Sequence, residues 1–114
     1  MEHGTKDPRV RGYARMYGVP IAKLEGLESE ILKAPCISVV DFDASALESK
    51  QLCVLAKYDI APEVQNYWAM RSDVRQSVVK AANKCGLVRT GDPIEDYGEH
   101  FYYVFNAAAW FEKE

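Results

Sequence analysis

At 114 residues the chain is long enough for one domain and too short for two of ordinary size. Its 48% hydrophobic and 27% charged residues are a globular composition that can bury a core without disulfide or metal staples. A net charge of −3 argues against a general polyanion binder. No apolar run reaches membrane-span length, and the polar start "MEHGTKDPRVRG" lacks the apolar stretch of a secretory signal, so a soluble, cytoplasmic protein is expected.

Residues 1–8 are polar, contain Gly4 and end at Pro8, which predicts a disordered tail ahead of a single α+β domain over 9–114. "RVRGYARMY" (9–17) predicts a short basic helix weakened by Gly12, punctuated by "GVP". Pro20 suits the first turn of a second helix, in which Ile21, Leu24, Leu27, Ile31 and Leu32 recur at helical spacing until Pro35 ends it. "CISVVDFD" (36–43) is β-branched and aromatic and reads as a strand. Residues 44–58 are ambiguous. Asp43 caps a helix over the good helix formers of "ALESKQL", or "QLCVLAKY" pairs with 36–43 as a hairpin; the absence of a turn residue favours the helix.

Residues 61–85 are the clearest helical region, opened by Pro62 and Glu63 and closed by Gly86 at the position of a C-terminal capping glycine. Ser72 is a plausible N-cap and Arg71 and Arg75 would otherwise fall on the apolar side, so two helices are expected, about 62–70 and 73–85. "LVRT" and "HFYYVFNAAAWF" then form strands around the loop "GDPIEDYG". The resulting picture is of helices packed on a short antiparallel sheet with a C-terminal β-hairpin.

Charge is unevenly placed. Residues 1–20 carry +2, residues 64–91 carry +4 and residues 92–99 carry −4. If Val74, Val78, Ala81 and Cys85 face the core, then Gln76, Ser77, Lys80, Asn83 and Lys84 face outward, and these are the donors that phosphates and base edges need.

The order helix, connector, helix, turn, helix ending in "GLV", then hairpin resembles a winged helix-turn-helix domain over about residues 46–106. In that family the third helix enters the major groove and the wing flanks the backbone. The resemblance implies a small nucleic-acid-binding regulator. Lys80 and Lys84 would contact phosphate and Gln76 and Asn83 would approach bases. Arg89 opens the wing, and Arg9, Arg11 and Arg15 add a basic arm. The wing departs from the family in being acidic. That departure motivates an alternative: a protein-interaction module, an inhibitor or adaptor. It presents Asp92, Glu95, Asp96 and Glu99, with Tyr102 of the aromatic strand, to a basic partner surface or to a second copy of the chain.

A second helix-turn-helix-like spacing runs over 10–29, with Ala14, Gly18 and Leu24 at the offsets of a tight turn. Glu25, Glu28 and Glu30 on its reading helix disfavour DNA, and an amphipathic packing helix is the expectation. The wide spacing of Cys36, Cys53 and Cys85 is neither a disulfide framework nor a zinc pattern. A thiol–imidazole pair with His100 and a cation pair at Asp41 and Asp43 are the only catalytic or metal-binding constellations to weigh. Glu99 or Asp96 could orient the imidazole, but Cys–His pairs arise by chance in most sequences, and no third ligand follows the aspartates at a telling distance, so no cofactor and no catalysis are expected.

Overall fold

The computed structural model describes residues 4–90, 95–97 and 100–111. Three helices, α1 (Pro8–Met16), α2 (Ile21–Leu32) and α3 (Tyr67–Lys84), lie with five strands: β1 (Ile37–Asp43), β2 (Gln51–Tyr58), β3 (Val88–Arg89), β4 (Glu95–Tyr97) and β5 (His100–Asn106). The strands are ordered β1-β2-β5-β3, every pairing is antiparallel, and β4 adds to β5 on the edge that β3 also uses. Because β2 and β3 both run against β5, they are parallel to each other. The connection β2–α3–β3 therefore leaves a one-strand gap that β5 fills, a split βαβ arrangement. This is the α+β class, helices on an antiparallel sheet with a C-terminal hairpin, that the sequence predicts.

Strand periodicity decides which side chains are core. Val40 and Phe42, then Leu52, Val54, Ala56 and Tyr58, then Phe101, Tyr103 and Phe105 alternate along their strands and are all buried. Cross-strand register lines them up as Val40–Ala56–Phe101 and Phe42–Val54–Tyr103. Against them pack Leu24, Leu27 and Ile31 of α2 and Val74, Val78, Ala81 and Ala82 of α3, one contiguous core. The opposite face of the sheet carries the half-exposed Asp41, Leu55, Lys57, His100, Tyr102 and Val104.

Three local expectations give way to tertiary context. Residues 51–58 form β2, not a helix, because their alternate apolar side chains complete the sheet's buried face. The helical tendency of "ASALES" survives only as a 3₁₀ turn, Ala44–Ser49, which Asp43 caps by accepting from the Ser45 amide at 3.0 Å. Lys50 supplies the missing turn residue by adopting φ 58°. Residues 67–84 are a single helix with no break at 70–72, and Pro62 and Glu63 precede it rather than open it. Arg71 sits on the apolar side without penalty because its Nε donates to the Tyr58 hydroxyl at 3.2 Å and its guanidinium lies over the Phe101 ring.

The described part of the polar start also packs on the domain, against α2 and β1. Gly4–Lys6 form a 3₁₀ turn in which Gly4 and Thr5 are buried. The Gly4 amide donates to the Asp41 carboxylate at 3.0 Å. The Thr5 amide and hydroxyl each donate to Glu28 at 3.0 Å. Glu28 therefore faces this turn and not solvent. Of the elements that carry the winged-helix resemblance, the structure has the last helix, its Gly86 end and the strands that follow. Of the two earlier helices of that order, the first is replaced by β2 and the second is continuous with the last.

Candidate nucleic-acid interface

Helix α3 ends as its sequence requires. The Gly86 amide donates to the Asn83 carbonyl at 3.1 Å and the Leu87 amide to the Ala82 carbonyl at 3.0 Å, with Gly86 at φ 91°. These bonds make a Schellman end, which turns the chain straight into β3. The Trp110 indole donates to the Cys85 carbonyl at 2.8 Å and covers the turn. The consequence is positional: β3 is locked beside α3, and Arg89 is set across from the helix's outward face.

Register then fixes which way Arg89 points. It pairs with Phe105, so its side chain rises on the helix-covered face of the sheet, at the open edge. There it meets α3 across a cleft of about 360 Å³. Arg75, Gln76 and Lys80 line the cleft from the helix with Ser72 and Val79, and Arg89 and Tyr103 line it from the sheet. The Arg89 guanidinium lies 5.9 Å from the Tyr103 ring centre, and that of Arg75 lies 5.9 Å from Phe101. The Tyr103 hydroxyl donates to the Arg75 carbonyl at 3.4 Å. Burial pushes the Tyr103 phenol above its ordinary proton affinity and Arg75 pulls it back, so it stands in the cleft as a neutral group.

The electrostatics are one-sided. Among the described residues, no carboxylate lines the cleft and none forms an ion pair with Arg75, Lys80 or Arg89. The Arg89 Nε is buried and has no hydrogen-bond partner among the described residues. A buried donor without a partner costs about 1–3 kcal/mol, which a water or ligand accepting from it offsets. Two guanidinium groups, an ammonium, an amide and the Ser72 hydroxyl facing one cleft are an anion seat, and a phosphate fits the fork geometry of arginine best.

Gln76, Lys80 and Arg89, expected from sequence, thus come together. Asn83 is exposed on the same helical face as Gln76, beyond the cleft. Lys84 is held instead by Glu30 at 3.4 Å, next to the Lys33–Glu30 pair at 2.8 Å, and these cations keep the Glu30 carboxyl below its ordinary value. The arm residues do not join the cleft. Arg9 pairs with Asp7 at 3.1 Å, while Arg11 and Arg15 flank a separate shallow cleft of about 250 Å³. Helix α1 packs on α2 and the 3₁₀ turns, whereas α3 packs on α2 and β3. Arg75, Ser72 and Tyr103 were not expected as site residues. The spacing of Arg71 and Arg75 was a signal in plain view, whereas Tyr103 reads from sequence only as core.

The acidic candidates divide. Asp92 and Glu99 lie outside the described residues. Glu95 and Asp96 are on β4, whose backbone follows β5, and Tyr102 is half-buried on the open sheet face. The 10–29 spacing does fold as two helices joined by a turn, with Gly18 at φ 76° and Ala14, Val19, Leu24 and Leu27 buried. Cys53 and His100 share a sheet face, but register places them four residues apart along neighbouring strands, about 13 Å, too far to exchange a proton. Asp43 is spent on its cap, and among the described residues no cluster of three His, Cys, Asp or Glu could hold a metal ion. Among the described residues, no helix is long and apolar enough to cross a membrane. Comparison with protein-family models and with curated proteins finds no match to this chain.

Proposed function

We propose that this chain is a small nucleic-acid-binding regulatory protein whose contact surface is the outward face of α3 with β3. The observation that carries the reading is the convergence of Arg75, Gln76, Lys80 and Arg89 on one cleft that no described carboxylate lines. The net charge of −3 supports a local rather than a general attraction, with affinity concentrated at this cationic cleft. Gln76 provides the amide that base edges can use, and the arginines provide the phosphate contacts that position it. Nothing in this reading requires the winged-helix order of elements; it needs only the helix, its glycine end and the strand that brings Arg89 across.

An anisotropy titration against oligonucleotides over a salt series tests it. Binding should weaken steeply with salt. Lys80→Ala combined with Arg89→Ala should flatten the log–log slope by about 1.5, the loss of two phosphate contacts. Absence of binding to every oligonucleotide at low salt would end the proposal. The acidic protein-interaction reading is favoured by the run of Glu95 and Asp96 along the β5 edge. A stable protein partner whose capture is abolished by charge reversal there would support it instead.

A further inference from the structure

Trp68 stands on the first turn of α3 and is 72% exposed, the most exposed of the large hydrophobic side chains among the described residues. A single exposed aromatic is ordinary on a protein surface. This one is aligned and braced. Counting from Trp68, the residues Ser72, Arg75, Val79 and Asn83 follow at i+4, i+7, i+11 and i+15, one helical face that runs through the cationic cleft. From Trp68 to Val79 the stripe extends about 16 Å along the helix. The Trp68 ring is met edge-on by Tyr67, with centroids 5.2 Å apart and planes at 87°. The Arg71 guanidinium lies 5.2 Å from its centre. That same guanidinium reaches over Phe101 at 5.4 Å and is tied to the Tyr58 hydroxyl, so the indole is steadied from the core.

We infer that the α3 face binds a single-stranded polynucleotide, with a base stacked on Trp68 and the backbone phosphates running into the Arg75–Lys80–Arg89 cleft. The inference rests on the nucleic-acid reading above and specifies its substrate. A flat aromatic platform at one end of a narrow basic track is the combination that single-strand binding uses, because every base offers a π-face once it leaves a duplex. A duplex keeps those faces stacked on one another and leaves Trp68 nothing to cover. It also carries a denser line of charge, one per about 1.7 Å. That charge would lie against a protein that is negative overall and acidic over residues 92–99. Trp68 pairs with a base of either sugar, so DNA and RNA single strands share the chemistry.

The test is fluorescence anisotropy at low salt with labelled single-stranded DNA and RNA of one short sequence, and with the corresponding duplex. Single strands should bind at least about tenfold more tightly than the duplex. Trp68→Ala should weaken single-strand binding about 5- to 150-fold, the range for loss of one stacking aromatic, and Trp68→Phe should restore most of it. Single strands should also quench intrinsic tryptophan fluorescence, and the quenching should vanish in Trp68→Ala, since Trp110 is buried. Melting curves should match, because Trp68 contributes little to the core. Equal or tighter duplex binding, or an unchanged affinity in Trp68→Ala while Arg75→Ala loses it, overturns the inference and leaves the nucleic-acid reading standing. Failure of all three ligands to bind overturns both.

Discussion

Replacing Gly86 tests how the helix end sets the cleft. Its φ of 91° lies in the left-handed region and beyond its centre, so any side chain there is strained. A Cβ would stand 3.6 Å from the Trp110 Nε1, an ordinary contact, so Gly86→Ala meets a conformational cost and no clash. That cost is about 1–2 kcal/mol. Gly86→Val adds two methyl groups on the side where the indole sits. Pushing the indole aside breaks its 2.8 Å bond to the Cys85 carbonyl, a further loss of about 1 kcal/mol. The expected totals are about 1–2 kcal/mol for alanine and 2–3 for valine. With an unfolding entropy near 2.1 cal/mol/K per residue, 2 kcal/mol lowers Tm by about 8 °C for a chain of this length. Urea titrations of both variants, read by far-ultraviolet circular dichroism, give the ordering directly. An alanine variant that unfolds at the wild-type midpoint with the wild-type slope would refute a left-handed end to α3. It would also remove the reason that β3, and Arg89 with it, stands where it does.

Other consequences are open to measurement. Trp110→Phe keeps the ring and loses the donor to Cys85, and should cost about 1–2 kcal/mol in urea unfolding; no change would mean the indole does not cap the helix. Lys50 holds φ 58° at the end of its 3₁₀ turn, so Lys50→Gly should raise stability by about 0.5–1 kcal/mol, and a loss would contradict that turn. Glu28→Ala removes the acceptor of both Thr5 donors and should abolish amide-exchange protection at Thr5 while leaving the protection of β2 intact. Burial is the largest cause raising the proton affinities of Tyr58, Tyr103 and Cys85. The unfolded chain therefore loses these protons first and binds fewer than the folded one. The stability they contribute is complete below about pH 8.5, the ordinary thiol value, and falls as pH rises from there through the raised folded values. A chemical-denaturation series from pH 7 to 11 should show that fall; stability constant or rising across the window would contradict the burial of these groups.

The sequence is most legible where local and tertiary preferences agree. α2 follows from Leu24, Leu27 and Ile31 at helical spacing, β1 from its β-branched run, and the Gly86 end from a glycine that no helix interior favours. It misleads where they compete. "ALESKQL" has helix formers, but the pairing of Val54 and Ala56 with both neighbouring strands, and of Leu52 with β5, outweighs that weak propensity. The turn that makes the hairpin possible is hidden because a lysine, not a glycine, takes the left-handed position. Arginine on an apolar helix side suggests a break only until Tyr58 and Phe101 are known to receive Arg71. The candidate site is half legible for a similar reason. The outward donors of α3 follow from periodicity, but Arg89 joins them only through the β3–β5 register. Arg9, Arg11 and Arg15 look equivalent in sequence and lie on another part of the helical layer.

Backbone amide chemical-shift mapping during titration with a short single-stranded oligonucleotide tests the central claim most directly. The account predicts shifts concentrated at Trp68, Ser72, Gln76, Lys80 and Arg89, with the indole N–H of Trp68 moving and that of Trp110 still. Shifts centred on Gly18–Glu25 of the α1–α2 turn, on the open sheet face at Leu55 and Tyr102, or nowhere would contradict it.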